Sequence, residues 1–167
     1  TSGAKNAALP ILFGTLLAEG QHIFTNVPRL KDIDSTAELL KSLGCHAHWD
    51  EKTDHNTFVV NVEKLKSFEA HYDLVRKMRA SILCLGPMLA KYGEATVSLP
   101  GGCAIGTRPI DLHLDAMKAL GAEIELRDGY VFAKAKKLQG GTVLFEKTTV
   151  GGTENLLMAA VLANGVT

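Results

Sequence analysis

The sequence predicts an α/β (α+β) fold in which apolar helices lie inside and sheets wrap around them. Three observations predict it. Apolar helical stretches alternate with short strands along the chain. The same order of elements recurs. The helix that opens each recurrence ("AALPILFGTLLA", "ASILCLGPMLA", "NLLMAAVLA") is apolar on most faces, as buried helices are.

The recurrence is marked by glycine. Leu16-Leu17-Ala18-Glu19-Gly20, Met88-Leu89-Ala90-Lys91-Tyr92-Gly93 and Val161-Leu162-Ala163-Asn164-Gly165 each close an apolar helix. The glycine suits the residue just past a helix, where φ is positive and a Cβ is penalised. A strand follows the first two, His22–Asn26 and Ala95–Leu99. Next comes a helix with a charged face, Ser35–Leu43 or Asp111–Leu120, ended by Leu43-Gly44 or Leu120-Gly121. Two strands complete each copy: Cys45–Trp49 with Thr57–Val62, then Ala122–Leu126 with Tyr130–Ala135. Asp128-Gly129 joins the second pair and is a strong hairpin signal. The unit is helix–strand–helix–strand–strand, with a period of roughly 70–75 residues, longer than most solenoid repeats. One partial domain is expected over 1–167, with copies at about 4–66 and about 72–136 and the start of a third at about 140–167. Both ends read as interior sequence: Thr1-Ser2-Gly3-Ala4 opens in mid-phrase, and Asn164-Gly165-Val166-Thr167 stops where a strand is due.

The composition narrows the function. With 46% hydrophobic residues, the 167-residue chain can bury a core without metals or disulfides. Eighteen basic and eighteen acidic residues leave no net field, which argues against a nucleic-acid binder but permits a local basic pocket. Cys45, Cys84 and Cys103 form no CxxC pair, so neither a disulfide framework nor a zinc knuckle is implied. That usage fits a reducing cytoplasm. No signal-peptide pattern opens the chain, and no apolar run is long enough to span a bilayer.

Cationic and small polar residues stand at the entrances of the apolar helices. Lys5 and Asn6 precede the first, Arg76, Lys77 and Arg79 the second, and Thr149, Val150, Gly151, Gly152 and Thr153 the third. Helix N-termini carry unpaired N–H groups and partial positive charge, so they favour anions. Three repeats bring three such ends to one pole, where Lys5, Arg79 and Arg108 are expected to converge on a phosphate or carboxylate. A lone cation at a helix start is usually a solvated surface charge, and Arg76 and Lys77 are read that way; the conjunction with the glycine-rich loop Leu99–Pro109 sets Lys5, Arg79 and Arg108 apart. The stretch "LPGGCAIGTRP" (Leu99–Pro109) places Cys103 among Gly101, Gly102 and Gly106, beside Arg108. A glycine-rich loop makes poor core and good ligand contact, and a neighbouring guanidinium favours a thiolate. The residues alone leave Cys103 open between that role and a small buried hydrophobe. Cys84 and Cys45 read as core. His113, just past Arg108 and Pro109, is placed in the same cleft. His46 and His48, on the outer face of a strand, would need His55 and a carboxylate to hold a metal; no metal is expected.

The stretches Ser2–Gly20, Tyr72–Gly93, Val97–Ala122 and Thr148–Gly165 closely resemble the UDP-N-acetylglucosamine enolpyruvyl transferases (UDP-N-acetylglucosamine 1-carboxyvinyltransferases). The Gly-Gly-Cys-x-Ile-Gly-x-Arg-Pro loop is specific to that family. The resemblance implies an inside-out α/β barrel of βαβαββ units with buried central helices, one of two such domains, the partner domain lying elsewhere. It implies transfer of the enolpyruvyl group of phosphoenolpyruvate to the 3′-hydroxyl of UDP-N-acetylglucosamine, an early cytoplasmic step of peptidoglycan synthesis, with no cofactor. It also implies roles. Cys103 is the general acid at C3 and the target of fosfomycin. Lys5 and Arg108 grip the phosphate, and Arg79 lies near the phosphoenolpyruvate group. Asn6 bonds the sugar hydroxyl region. Pro109, Ile110, Asp111, Leu112 and His113 follow Arg108 along the uridine end. Lys147, Thr149, Val150 and Gly151 hold the diphosphate. Two rivals remain: a related transferase acting on another alcohol such as shikimate 3-phosphate, and a non-catalytic nucleotide-sugar-binding module.

Overall fold

In a computed structural model of the protein, residues 3–99 and 110–167 are described. The first copy runs α1 (Lys5–Gly14), β1 (Gly20–Phe24), α2 (Lys31–Leu43), β2 (His46–Trp49) and β3 (Phe58–Val62). The second runs β4 (Glu69–Ala70), α3 (Tyr72–Val75), a 3-10 segment (Arg79–Cys84), α4 (Leu85–Tyr92), β5 (Glu94–Ser98), α5 (Asp111–Ala119), β6 (Glu123–Arg127) and β7 (Tyr130–Lys134). α6 (Val150–Ala160) follows.

The two sheets repeat one plan. The first has order β1-β3-β2, all antiparallel. The second has order β4-β5-β7-β6, with β5, β7 and β6 antiparallel and β4 parallel to β5. Thus β5, β7 and β6 stand where β1, β3 and β2 stand, and β4 is the additional opening strand. A parallel bridge between Gln139 and Asn164 repeats the β4–β5 relation at the next copy. The glycines that marked the repeat, Gly20, Gly93 and Gly165, all have positive φ, at 113°, 78° and 90°. Asp128 and Gly129 both have positive φ, as the tight β6–β7 turn requires.

Alternation puts Ala47, Val60, Val62, Ala95, Val97, Val131 and Ala133 on the inner sheet faces, each at most 1% exposed. They join the helices in one continuous core. α2 packs on α1 and β2, and α5 on α6 and β6. α4 packs on α6 inside, and α1 packs on α6 and on the 3-10 segment that leads into α4. The expectation of three buried central helices holds fully only for α4, where every residue from Leu85 to Ala90 is buried. α1 leaves Ile11 54% exposed, and α6 leaves Leu157 at 61%, with Val161 just past its end at 67%. α4 has α6, β5 and the 3-10 segment around it. α1 and α6 each keep an open flank among the described residues.

Two boundaries differ from the sequence reading. α2 starts four residues earlier than Ser35, because Asp32 and Asp34 already occupy a first turn, where acidic side chains suit the helix dipole. The second interior helix begins as a 3-10 segment and turns α-helical only at Leu85. Pro87, two residues further on, has no N–H to give to the carbonyl of Leu83.

Candidate functional site

The site is built where the first turns of the interior elements meet. Arg79 opens the 3-10 segment, His113 lies in the first turn of α5, and Gly151 in the first turn of α6. The three elements converge on the His113 ring. A side chain on Gly151 would sit 3.3 Å from His113 Cε1 and 3.6 Å from Nε2, so the glycine lets the ring lie against the helix start. Asn155, one turn further along α6 and fully buried, donates from Nδ2 to the Ile82 carbonyl (3.1 Å) and contacts His113 Nδ1 (3.1 Å). Its Oδ1 accepts the Gly86 backbone N–H at 2.8 Å. Burial, and then the positive charge of Arg79, pushes the His113 pKa down to about 4, so the ring is neutral at physiological pH.

The α6 entrance is capped by Thr149, whose Oγ1 accepts the Gly152 N–H at 3.1 Å. The N–H groups of Val150 and Gly151 belong to the first turn, where no intrahelical acceptor exists. Lys147, Thr149, Val150 and Gly151 therefore form one contiguous stretch at this entrance, with Lys147 and Val150 exposed. At the α1 entrance Lys5 pairs with Asp32 of α2 at 2.7 Å, and Asn6 is exposed beside it. The ammonium of Lys5 has three donors, so the pair fixes its position without exhausting it. Arg79 and Asp111 are exposed, while Ile110 and Leu112 are half-buried.

The structure thus draws Arg79, His113 and Gly151 together, and the ion pair ties Lys5 to α2 rather than to this group. Cys103, Arg108 and Pro109 lie outside the described residues. Arg76 pairs with Asp73 at 3.3 Å and Lys77 with Glu38 at 2.9 Å, both on the surface. Cys45 and Cys84 are buried, and burial pushes their thiols up to about 11 and about 12, which removes any nucleophilic thiolate near neutral pH. His46 and His48 face outward. Among the described residues, no cluster of His, Cys, Asp or Glu is placed to hold a metal ion. Nor is any helix there long and apolar enough to cross a membrane.

Two residues of this region went unnoticed in the sequence. Asp32 reads as an ordinary helix-start acid. Asn155 carried one weak signal, an amide inside the otherwise apolar run "NLLMAAV".

The model of the family described as EPSP synthase (3-phosphoshikimate 1-carboxyvinyltransferase) matches residues 1–167. The chain belongs to this family. EPSP synthase family relatives include a UDP-N-acetylglucosamine 1-carboxyvinyltransferase of Bdellovibrio bacteriovorus. The two are 70% identical over 100% of the chain and 39% of that protein. The protein so named in Helicobacter pylori is 56% identical over 99% of the chain and again 39% of its own length. The chain therefore spans about two fifths of the length of these relatives. Among solved structures, the enolpyruvyl transferase NikO from Streptomyces tendae superposes with a TM-score of 0.83 at 23% identity, over 99% of the chain and 38% of that structure. An EPSP synthase from Acinetobacter baumannii superposes with a TM-score of 0.74 at 16% identity, over 98% of the chain and 38% of that structure. These two show a shared fold, that of the enolpyruvyl transferases.

Proposed function

We propose that the chain is part of an enolpyruvyl transferase that moves the enolpyruvyl group of phosphoenolpyruvate onto the 3′-hydroxyl of UDP-N-acetylglucosamine and releases phosphate, a cytoplasmic step of peptidoglycan synthesis. The 70% identity to a UDP-N-acetylglucosamine 1-carboxyvinyltransferase along the whole chain carries this reading. In the reaction the sugar 3′-hydroxyl gives up its proton to a base of the complete site and its oxygen bonds to C2 of phosphoenolpyruvate, while C3 gains a proton. C3 then loses a proton as the C2–O bond to phosphate breaks, which restores the double bond. Both substrates are anionic and charge shifts at C2, so fixed electrostatics and positioning do most of the work.

The proposed roles follow the helix entrances. Lys5 and Arg108 hold the phosphate, with Arg79 beside the phosphoenolpyruvate group and Asn6 at the sugar hydroxyl. Pro109, Ile110, Asp111, Leu112 and His113 hold the uridine end. Lys147 and Thr149, with the N–H groups of Val150 and Gly151, hold the diphosphate. Cys103 delivers the proton to C3. The chain makes up one partial domain over 1–167, with copies at about 4–66, 72–136 and 140–167, and a partner domain completes the site. The exposed Ile11, Leu157 and Val161 are consistent with such a continuation. No cofactor is required.

The name of the family model favours a second reading, in which the alcohol is shikimate 3-phosphate. The test is phosphate release by the complete protein given phosphoenolpyruvate and each alcohol in turn. The proposal expects release with UDP-N-acetylglucosamine alone, a fall of about a hundredfold or more in Cys103→Ser, and loss of fosfomycin labelling in that variant. Release with shikimate 3-phosphate instead selects the second reading. Binding of the nucleotide sugar without release makes the protein a non-catalytic module.

A further inference from the structure

A buried amide that the proposed chemistry does not use joins four elements of the core. Asn155 of α6 reaches Gly86 of α4, Ile82 of the 3-10 segment and His113 of α5. None of these partners is near it in sequence; they lie 69, 73 and 42 residues away. The site is built for it, because any Cβ on Gly86 would fall on Asn155 Oδ1 and on the Asn155 carbonyl.

The directions of these bonds are not free. A backbone N–H can only donate, so the atom facing Gly86 must be the carboxamide oxygen. The NH2 group then faces the Ile82 carbonyl, which can only accept, and both requirements agree. The same NH2 group faces His113 Nδ1, so Nδ1 must accept. A neutral imidazole with an accepting Nδ1 carries its proton on Nε2. The Cε1–Nε2 edge of that ring lies against the first turn of α6 at Gly151.

We propose that Asn155 is a positioning residue: locked by the Gly86 N–H, its carboxamide holds His113 as the Nε2–H tautomer, so that the ring offers a donor beside the α6 entrance to an acceptor oxygen of the nucleotide sugar. The ligand half of this statement rests on the function proposed above; the tautomer half does not. Asn155 touches no substrate and acts through His113. Its consequence is selective: an Nε2–H ring recognises a carbonyl or phosphate oxygen and rejects a donor. The depressed pKa of His113 agrees, since burial and then the Arg79 charge oppose a second proton on the ring.

The test is imidazole nitrogen NMR of the complete protein labelled with 15N-histidine, together with the affinity for UDP-N-acetylglucosamine. Wild type is expected to show His113 protonated at Nε2 and unprotonated at Nδ1 throughout the neutral range. In Asn155→Asp one carboxylate oxygen still accepts from Gly86, but the other faces Nδ1 and draws a proton there. The His113 titration should then rise by at least about one pH unit, and the sugar nucleotide should bind about tenfold more weakly. His113→Gln keeps a donor near the Nε2 position and has no Nδ1. In that background Asn155→Asp should cause little further loss of affinity, whereas a purely structural role predicts the same loss in both backgrounds. Wild-type His113 found with its proton on Nδ1 overturns the proposal, even if no variant folds. If UDP-N-acetylglucosamine does not bind, the functional reading fails while the tautomer is still decided by the spectrum.

Discussion

At the scale of single residues, His113 is the group whose environment has the clearest consequence. Burial and Arg79 depress its pKa to about 4, against an ordinary value near 6.5. The unfolded chain therefore binds a proton on this ring between those two values and the folded chain does not. Stability from this source is complete above about pH 6.5 and is lost as the pH falls toward 4, to a total of about 3 kcal/mol at most. His113→Gln removes the titrating group. The variant should lose less of its thermal midpoint between pH 7 and pH 4.5 than wild type does, and an equal loss would mean that the ring is not held neutral. This consequence was not legible in the sequence. His113 was placed in the cleft by its closeness to Arg108 and Pro109, but its partner Asn155 is brought up only by the packing of α5 on α6. The cysteines were more readable. Cys45 alternates with the exposed His46, and Cys84 sits in an apolar run, and both are buried.

At the scale of elements, periodicity did most of the work. α5 and the strands β2, β3, β6 and β7 lie within a residue or so of the expected bounds, because apolar alternation and the Asp128-Gly129 turn are local signals. The start of α2 was read late because its actual N-cap, Leu30, makes no side-chain bond that would mark the helix start. β4 has only two residues, too few for any pattern, and exists because β5 pairs with it. The Leu-Gly helix ends hold a testable cost. Gly44 has φ of 109°, and a Cβ there would lie 2.8 Å from the Lys66 backbone nitrogen. Gly44→Ala should therefore destabilise by about 1–3 kcal/mol, read as a fall in the denaturation midpoint. Gly121→Ala, with φ of 88° and nothing within 4 Å of the added carbon, should cost less. Equal costs would mean that the contact with Lys66 adds nothing to the backbone strain.

For the whole molecule, repetition is the organising fact. Two sheets with one strand plan, and helix-ending glycines with matching φ, identify one unit used again. The second and third copies bring Arg79, the His113 ring and the α6 cap together. The repeat led to the expectation that Lys5, Arg79 and Arg108 converge; of the three, Arg79 lies beside His113, Lys5 pairs with Asp32, and Arg108 lies outside the described residues. The coupling of Lys5 to Asp32 was not legible in the sequence, since an ion pair between α1 and α2 depends on how the two helices pack. The account's central claim is that the helix entrances bind one anionic nucleotide sugar together. Hydrogen exchange of the complete protein with and without UDP-N-acetylglucosamine tests it most directly. The account predicts slowed exchange in the first turns of both α5 and α6, with no change at the Asp128–Gly129 hairpin. Slowing confined to the outer strands, or absent from both helix starts while the ligand is bound, would contradict it.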